Sequence, residues 1–327
     1  MIGLAPMDGI TDAAFRQVVD EVGKPDILFT EFIPAEGLVR GRSTLLNGLK
    51  KHSSDTPVIA QFFGNNPEYF YQAFFIAAKQ GFSGVDVNMG CPELSIVKKG
   101  SGSALINNPK RAKEIIAALQ QARGDLRGRA RGQMTISVKT RIGFDKATTK
   151  EWIGQLLEAR PDFITVHGRI FTQKYGGKAD WDEIKKAVKM AKGTKTKIWG
   201  NGDVRSREEA QNKIKEYGVD GVLVGRAALG NPWLFAGKIP TFQERLKMME
   251  YHAKLFLEYR PDLDLRPMRK HLAWYCKGEE GSAKLREKLM KVVTMKDLQE
   301  ILSFRAKSSE SEDKVEKSQE IPPLRSG

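Results

Sequence analysis

The sequence has few cysteines and no long apolar run. Two of its 327 residues are cysteine, Cys91 and Cys276, which argues against a disulfide framework and favours a reducing compartment. No apolar run reaches the ~18 residues that suggest a transmembrane helix, so no membrane span is predicted. The first residues lack a basic segment followed by an apolar one, so we expect no signal peptide and a cytoplasmic location. No Cys/His spacing suits zinc, so no metal site is predicted.

Acidic residues are outnumbered by basic ones. The chain has 54 Lys and Arg against 40 Asp and Glu, a net charge of +14. Such a balance alone supports nucleic-acid binding only weakly, but it makes a polyanion a serious candidate partner. The apolar content of 40% and the aromatic content of 9% favour a packed core over disorder.

Strand-like and helix-like segments alternate from the first residue to about residue 235. The apolar runs predict strands over residues 2–6, 27–32, 57–63, 85–87, 135–138, 163–166, 197–200 and 221–224. Apolar spacings of three and four predict helices such as those over 11–22, 68–80, 110–121, 150–159, 181–191 and 208–217. Eight strand–helix units in sequence indicate a parallel sheet closed into a (β/α)8 TIM barrel.

The pattern changes near residue 241 to helices without strands, predicted over 242–259, 268–277, 282–292 and 295–304. We therefore expect an α/β chain with a catalytic barrel over 1–238 and a small all-helical domain over 239–307. Residues 308–327 are polar and poor in apolar side chains, which predicts a disordered tail.

The unusual polar residues follow the predicted strands, where parallel α/β proteins carry their chemistry. Residues 85–93, VDVNMGCPE, present an asparagine and a thiol on a loop shaped by glycine and proline. Taken alone, Cys91 is equally compatible with a buried structural thiol. In the loop over 5–12, Pro6 and Gly9 allow the backbone to approach a flat ligand. The amide of Gln61 can both donate and accept, as the edge of a flavin or pyrimidine requires.

A phosphate site is predicted after the seventh and eighth strands. Main-chain amides at Gly200, Gly202 and Gly225, with Arg226 nearby, match the phosphate site expected at that position in a barrel. No dinucleotide fingerprint of the G-x-G-x-x-G kind follows a strand, which favours FMN over FAD.

Together these loops resemble the tRNA-dihydrouridine synthases, flavin enzymes that reduce uridine in tRNA. The resemblance is carried by APMDGITD (5–12), DVNMGCP (86–92), VKTR (138–141), VHGR (166–169), GNGD (200–203) and GR (225–226). The segment MRKHLAWY (268–275) is similar to the helical-domain signature of the bacterial branch. The match runs from residue 1 to about 305. One departure is that the first strand starts almost at Met1, whereas members of this family usually carry several residues before it.

The resemblance implies FMN- and NAD(P)H-dependent reduction of the C5–C6 double bond of uridine. Such a reduction needs a hydride at C6 and a proton at C5 from a placed acid. Cys91 matches the family's acid, and Lys139 and His167 resemble the pair that contacts the flavin ring and phosphate region. The residues implied to bind the cofactor are Pro6, Met7, Asp8, Gln61, Lys139, His167, Asn201, Gly202, Asp203, Gly225 and Arg226.

The implied substrate is tRNA, with its target base flipped into the barrel mouth. Asn88 is expected to orient the uracil edge, although capping of its own loop is an alternative. Arg141 and Arg169 are candidates for the uracil carbonyls or a tRNA phosphate. Phosphate contacts are expected from Lys98, Lys99, Arg269 and Lys270. Trp274 and Tyr275 offer a stacking surface, but for Trp274 we favour a place in the helical core.

Two other functions fit part of the pattern. An FMN-dependent oxidoreductase of a free pyrimidine or enone, similar to dihydroorotate dehydrogenase, would keep the barrel but would not need the basic helical domain. A non-catalytic RNA-binding barrel would lack the acid or the phosphate site, and both are present. The expected partners are tRNA and a nicotinamide cofactor, and the chain is expected to be a monomer. The sequence does not determine which uridine is reduced, or whether the donor is NADPH or NADH.

Overall fold

The computed structural model of the protein describes residues 1–126, 134–279 and 281–303. The chain divides into two compact units after Ile239, one residue beyond the barrel boundary that the sequence predicts. The predicted polar tail over 308–327 lies outside the described residues. No helix in the described part of the chain is both long and apolar enough to cross a membrane.

The first unit contains eight parallel strands in the order β1-β8-β7-β6-β5-β4-β3-β2. Their bounds are β1 Ile2–Leu4, β2 Leu28–Pro34, β3 Val58–Phe63, β4 Gly84–Met89, β5 Thr135–Gly143, β6 Phe163–Ile170, β7 Lys197–Asn201 and β8 Gly221–Val224. A parallel bridge joins Gly3 to Ile27, and the Leu4 amide donates to the Ile27 carbonyl at 3.1 Å. These contacts connect β1 to the residue that immediately precedes β2, so the predicted barrel is confirmed.

Helices follow the strands on the outside of the sheet. Their bounds are α1 Ala13–Gly23, α2 Ala35–Val39, α3 Pro67–Lys79, α4 Leu94–Val97, α5 Pro109–Asp125, α6 Thr149–Glu158, α7 Trp181–Ala191 and α8 Arg207–Tyr217. Asn66, Asn108, Asp180 and Ser206 each begin a helix by accepting a hydrogen bond from an amide of its first turn. These side chains satisfy donors that a helix start leaves unpaired.

Two strands are longer than the apolar pattern predicts. β5 and β6 continue to Gly143 and Ile170, whereas the sequence predicts ends at 138 and 166. Polar residues interrupt the apolar run there, but the strand pairing continues through the register pair Arg141 and His167. These polar residues therefore lie within the strands, where alternation decides which face a side chain occupies as far as the irregularity in register that follows Arg141 and His167.

The interior of the barrel is filled below its mouth. A compact apolar cluster joins side chains from the strands or the residues that flank them: Ala5, Ile27, Phe29, Ile59, Phe163, Trp199 and Leu223. Phe163 and Trp199 stack with ring centroids 5.3 Å apart. The next residue on β6, Ile164, belongs instead to the larger core that contains most buried side chains of the helices. Alternation thus separates an inner core from the core between sheet and helices.

Three aspartates bind main-chain amides at the opposite, amino-terminal end of the sheet. Asp26, Asp162 and Asp220 accept from the main-chain amides of Ile2, Ile136 and Ile198 at 2.6, 2.7 and 2.9 Å. Each aspartate lies just before one strand and binds the first residues of its neighbour. They therefore help to fix the register at the end of the barrel away from the motif loops.

The described residues of the second unit contain helices and no strand. The helices are α9 Phe242–Tyr259, α10 Arg269–Tyr275, α11 Ser282–Leu289 and a segment over 295–303. Thr241 and Glu244 form a reciprocal cap at the start of α9. Tyr275 is fully buried, and its hydroxyl lies 3.1 Å from His252 Nδ1. Trp274 is half-buried, edge-on to the His271 ring.

Candidate active site

The mouth of the barrel is lined by polar side chains from neighbouring strands. The register pairs Asn88 with Lys139 and His167 with Asn201, and paired residues of parallel strands share one face. Gln61 joins them from β3 through its hydrogen bond with Asn88. The structure thus brings together the predicted acid loop and five of the predicted cofactor or substrate residues.

The Cys91 loop is held by hydrogen bonds to its own backbone. Asn88 Oδ1 accepts from the amides of Gly90 and Cys91 at 3.1 and 2.9 Å, and the Ser103 amide donates to the Cys91 carbonyl at 3.2 Å. Gly102 has φ +61°, and a Cβ there would lie 3.1 Å from the Cys91 carbonyl oxygen. Asn88 therefore caps its own loop, the alternative that the sequence left open for this residue.

A buried network lies beneath this loop. Asn88 Nδ2 donates to Gln61 Oε1 at 2.9 Å, and Gln61 Nε2 donates to Asp86 Oδ2 at 2.7 Å. Ser137 Oγ donates to Asp86 Oδ1 at 2.6 Å. Asp86 and Ser137 were missed by the sequence prediction. Their inward positions, two residues before Asn88 and Lys139, follow from the period of a strand.

Arg141 connects two loops at the mouth. Its Nε donates to the Gly90 carbonyl at 2.7 Å, and its Nη1 donates to the carbonyls of Ile170 and Lys174 at 3.0 and 2.9 Å. The side chain is 2% exposed. The predicted contact with uracil or phosphate is therefore not supported for these two nitrogens, which tie the Cys91 loop to the loop after β6.

Arg169 is also committed to the protein. Its Nη2 donates to both oxygens of Asp203 at 2.7 Å and to the Gly177 carbonyl at 2.7 Å, while its Nε donates to the Gly176 carbonyl at 3.0 Å. The remaining nitrogen, Nη1, lies 3.2 Å from His167 Nε2. With every nitrogen engaged and the residue 2% exposed, the predicted contact of Arg169 with tRNA is not supported by the geometry.

The Cys91 thiol is protonated at neutral pH. Burial raises its pKa, and the carboxylates of Asp8 and Glu93 raise it further, against an amide hydrogen bond and the charge of Arg141. Because an unperturbed thiol already has a pKa of ~8.5, a raised value leaves the proton on sulfur. Such a thiol can donate a proton but is a poor nucleophile.

Lys139 is a cation without a protein partner in the part of the chain that the structure describes. No hydrogen bond or ion pair holds its ammonium group there. Burial, and then the charge of Arg141, lower its pKa to about 8, while the carboxylate of Asp86 opposes this shift. Burial raises the pKa of Asp86 to about 6. At neutral pH the ammonium is therefore mostly charged, and the side chain is partly exposed to the mouth.

His167 is neutral and its tautomer is set by Arg169. Burial lowers its pKa well below the ordinary value, and the charges of Lys139, Arg141, Arg169 and Arg226 act in the same direction. Because a guanidinium only donates, Arg169 Nη1 makes His167 Nε2 an acceptor. The proton of the neutral ring is therefore on Nδ1, which can donate to a ligand.

The loop after β1 is a tight turn. The Met7 carbonyl accepts from the amides of Ile10 and Thr11 at 3.2 and 3.0 Å, and Gly9 has φ +64°. Pro6 and Met7 are half-buried and Asp8 is exposed. Glu31 on β2, which the sequence prediction missed, lies close to this loop. Burial raises its pKa to about 7, and the charges of Asp12 and Asp8 add to the shift.

The predicted phosphate region is organised by Asp203, which has φ +54°. Besides binding Arg169, its carboxylate accepts from Arg226 Nη2 at 3.0 Å and from the Ala179 amide at 2.8 Å. Burial acts against ionisation, but these donors together lower the pKa of Asp203. Asp203 therefore positions Arg226, whose side chain is 59% exposed.

The glycines of this region have different roles. A Cβ at Gly200 would lie 2.4 Å from the Trp181 ring, so Gly200 makes room for that ring. It lies within β7, where the register pairs it with Val166 and Val222, and its predicted amide–phosphate contact stays a prediction. Gly202 has φ +134°, and its carbonyl accepts from Trp181 Nε1 at 3.0 Å. Asn201 Nδ2 donates to the Leu223 carbonyl at 2.8 Å. A Cβ at Gly225 would lie 3.4 Å from Met7 Sδ, so this glycine borders the loop after β1.

The predicted tRNA contacts lie on exposed segments. Lys98 and Lys99 are exposed just after α4, on the same connection as Cys91, and Asn65 Nδ2 donates to the Lys99 carbonyl at 2.7 Å. In the second unit Lys270 is exposed. Arg269 instead donates to the carbonyls of Val292 and Lys291 at 2.8 and 3.2 Å, which stabilises that unit.

Known proteins with related sequences are similar over nearly the whole chain. The model of the dihydrouridine synthase (Dus) family matches residues 3–311. A probable tRNA-dihydrouridine synthase of Staphylococcus aureus (strain COL) is 34% identical over 327 aligned residues, covering 94% of each chain. Probable tRNA-dihydrouridine synthase 1 of Synechocystis sp. is 33% identical over 311 aligned residues, covering 91% of this chain and 84% of its own.

Solved structures show the same fold at low sequence identity. Histamine dehydrogenase from Rhizobium sp. 4-9 has a TM-score of 0.54 at 12% identity, with 78% of this chain and 48% of that chain covered. A morphinone reductase variant in complex with tetrahydroNAD has a TM-score of 0.50 at 12% identity, with 71% and 84% covered. With the family match, the relatives and the barrel in agreement, the chain belongs to the dihydrouridine synthase family.

Proposed function

We propose that this protein is a tRNA-dihydrouridine synthase that reduces the C5–C6 double bond of uridine in tRNA, with FMN as its flavin and NADPH or NADH as electron donor. The observation that carries the proposal is the protonated Cys91 thiol on the rim of a mouth that also holds the Lys139 ammonium, which has no partner among the described residues. The relatives named tRNA-dihydrouridine synthases favour tRNA over a free pyrimidine or enone.

The residues at the mouth fit a flavin mononucleotide. Lys139 offers a cation and His167 an Nδ1–H donor, and both groups face the opening. The exposed Arg226, fixed by Asp203, and the small residues Gly202 and Gly225 suit a single phosphate. Pro6, Met7, Asp8 and Asn201 complete the proposed cofactor contacts, whereas Gln61 is completely buried with both ends of its amide bonded to Asp86 and Asn88, so its predicted cofactor contact is not supported by the geometry. When bound, reduced FMN supplies the hydride for C6 of the base.

Cys91 is the proposed proton donor to C5. Its raised pKa keeps the proton on sulfur at neutral pH, and Asn88 holds its amide in place. The lysine cation at the mouth favours negative charge that develops on neighbouring groups during the reaction. Arg141 maintains the loop geometry rather than taking part in the transfer.

The tRNA contacts are proposed to be electrostatic. Lys98 and Lys99, exposed on the loop that follows Cys91, are suited to phosphates beside a flipped base. Lys270 contributes a further exposed cation in the second unit, which we propose to be a tRNA-binding domain. A cytoplasmic location and a monomeric state stay predictions.

The direct test is to incubate the purified protein with FMN, tRNA and either NADPH or NADH, and to map dihydrouridine in the product by mass spectrometry. We expect dihydrouridine at defined tRNA positions. Free uridine and orotate serve as competing substrates. Reduction of a free pyrimidine with no change in tRNA would contradict the proposal. Flavin released by heat should migrate as FMN on chromatography, and FAD would overturn the cofactor assignment.

A further inference from the structure

An unbroken series of hydrogen bonds runs from the barrel interior to the acid loop. Asp86 accepts from Gln61 at 2.7 Å, Gln61 accepts from Asn88 at 2.9 Å, and Asn88 accepts from the Cys91 amide at 2.9 Å. The two amide side chains in the middle of the series each donate on one side and accept on the other. Asp86 and Gln61 are completely buried, and Asn88 is 7% exposed.

The donor-to-acceptor direction of these hydrogen bonds is favoured by the groups at both ends of the series. A carboxylate can only accept, so Asp86 requires Gln61 to turn its NH2 group inward. A main-chain N–H can only donate, so Cys91 requires Asn88 to turn its oxygen outward. The two requirements agree, because Gln61 then presents oxygen to the NH2 group of Asn88. The burial that raises the pKa of Asp86 to about 6 leaves the carboxyl mostly ionised at neutral pH.

We propose that Asp86 is a positioning residue that sets the place of the Cys91 thiol through the amides of Gln61 and Asn88. The assignment of Cys91 as proton donor rests on the proposed function, but the positioning itself does not. An asparagine at position 86 has the same shape and can present NH2 to Gln61. The inner end of the series then no longer favours one direction, and only the Gly90 and Cys91 amides oppose a reversed Asn88, whose NH2 group would lie against them.

The loop's other anchors cannot replace this series. Arg141 binds the Gly90 carbonyl and Ser103 binds the Cys91 carbonyl. Both contacts hold carbonyl oxygens, whereas Asn88 Oδ1 accepts from both amides. Loss of that acceptor leaves two donors unpaired in a partly buried loop, which favours movement of the loop toward water.

The test uses three variants: Asp86→Asn, Gln61→Glu, and the double variant Asp86→Asn with Gln61→Glu. In the double variant the new asparagine at position 86 donates to the new glutamate at position 61, whose carboxylate still accepts from Asn88. The direction of the series is therefore restored and the total charge is unchanged. In the single Gln61→Glu variant two carboxylates face each other, so we expect a disturbed loop.

The first readout is the rate at which iodoacetamide alkylates Cys91 as a function of pH. Peptide mass spectrometry measures the alkylation, and this readout does not require bound flavin. We expect Asp86→Asn to expose the thiol, lower the pH midpoint of its alkylation and speed the reaction at pH 7 by about tenfold, the effect of roughly one lost hydrogen bond. Cys276, which is 0% exposed in the second unit, reports opening of that unit.

The second readout is the rate at which pre-reduced, flavin-loaded enzyme is reoxidised by tRNA, which we expect to fall by about tenfold or more in Asp86→Asn. The double variant should recover the parental alkylation midpoint and most of that rate. Asp220→Asn is the matched control, because Asp220 also accepts from a main-chain amide, that of Ile198, at the opposite end of the barrel. It should leave both readouts unchanged.

Parental alkylation and parental reoxidation in Asp86→Asn would overturn the positioning role. The role would also be overturned if both single variants were impaired and the double variant did not rescue them. The donor-to-acceptor direction of the hydrogen bonds would then not explain the impairment. If the alkylation pattern holds while the parent enzyme does not reduce tRNA, the positioning role stands and the proposed function fails.

Discussion

Burial sets the protonation state of the side chains at the barrel mouth. It keeps the proton on Cys91, removes the charge of His167 and brings the pKa of Lys139 down to about 8. The site therefore holds an acid, a neutral donor and a cation within one opening. The states of Cys91 and Lys139 each have a measurable consequence.

Replacement of the acid should stop one half of the reaction only. Cys91→Ala should keep flavin binding and flavin reduction by the nicotinamide cofactor, because neither step needs a proton at C5. Reoxidation of the pre-reduced enzyme by tRNA should slow by roughly 10²–10⁴, the usual contribution of a positioned general acid. Rapid mixing isolates this step, and reoxidation at the parental rate would show that the proton comes from elsewhere.

The charge of Lys139 should make flavin binding depend on pH. Its lowered pKa means that the group loses its proton as the pH rises through about 8, so affinity of the apoprotein for FMN should fall above that pH. Between about 8 and the ordinary value of 10.5 the unfolded chain binds more protons than the native one, so this residue's contribution to stability rises with pH there. Fluorescence titration with FMN from about pH 6.5 to about pH 9.5, a range that brackets the lowered pKa, measures the effect.

The matched variant for this titration is Lys139→Met, which keeps the length of the side chain and removes the charge. It should bind FMN more weakly at pH 7, and its affinity for FMN should not fall near pH 8. The same fall in affinity in Lys139→Met would assign the titration to another group. Equal affinities of the variant and the parent at pH 7 would remove Lys139 from the cofactor site.

Strands and loops decide how precisely these groups are placed. β5 and β6 extend to the rim of the mouth, and Arg141 joins the loops that follow β4 and β6 through three carbonyls. At the other end of the sheet, aspartates before the strands bind amides of their neighbours. The carboxyl-terminal end of the barrel thus carries the candidate active site, and contacts at the amino-terminal end help to fix the register of the strands.

Arg141→Lys should keep the positive charge but lose the connection between the two loops, because one ammonium cannot reproduce the fork of a guanidinium. We expect tRNA-dependent flavin reoxidation to slow by about tenfold and hydrogen exchange in residues 90–103 and 170–175 to speed up. Arg40→Lys, an exposed side chain paired with Glu36, is the control. Unchanged exchange in both loops would contradict the connecting role.

Asp162→Ala should affect stability and spare the reaction. Its carboxylate accepts from the Ile136 amide at 2.7 Å and from Arg123 Nη1 at 2.6 Å, far along β5 and β6 from the mouth. We expect a loss of about 1–2 kcal/mol in the free energy of unfolding, measured with urea, at parental flavin content and activity. A specific loss of tRNA reduction would mean that this end of the barrel also contributes to the site.

The molecule as a whole carries a net charge of +14, and the tRNA contacts that we propose use only part of that charge. Lys98 and Lys99 are exposed beside the mouth, and Lys270 is exposed in the helical unit. Arg269 Nε and Nη2 bind carbonyls of their own unit, and the predicted phosphate contact of Arg269 stays a prediction. A binding test should therefore replace the lysines and leave Arg269 in place.

Lys98→Ala with Lys99→Ala, and separately Lys270→Ala, should weaken tRNA binding and leave the flavin spectrum unchanged. Each lost phosphate contact should reduce the slope of log affinity against log salt by about one. The control is Lys189→Ala with Lys192→Ala, two lysines at the end of α7 that points away from the mouth. Equal slopes in all variants would show that the RNA surface lies elsewhere.

The order of the elements and the identity of the motif loops were determined by the sequence. Apolar periodicity and helix caps are local properties, so the eight strand–helix units could be predicted without a structure. Cys91, Lys139 and His167 could be found because each lies in a short contiguous motif. The family comparison agrees with the resemblance that those motifs carry.

The partners of those side chains were decided by the tertiary structure. Asp86 and Ser137 gained a role only when strands distant in sequence placed them in one network. Arg141 and Arg169 look alike in sequence as ligands for anions, yet one binds loop carbonyls and the other binds Asp203. A sequence shows which groups can donate or accept, but which acceptors surround a donor depends on strand register and loop closure, and these bring together residues far apart in the chain.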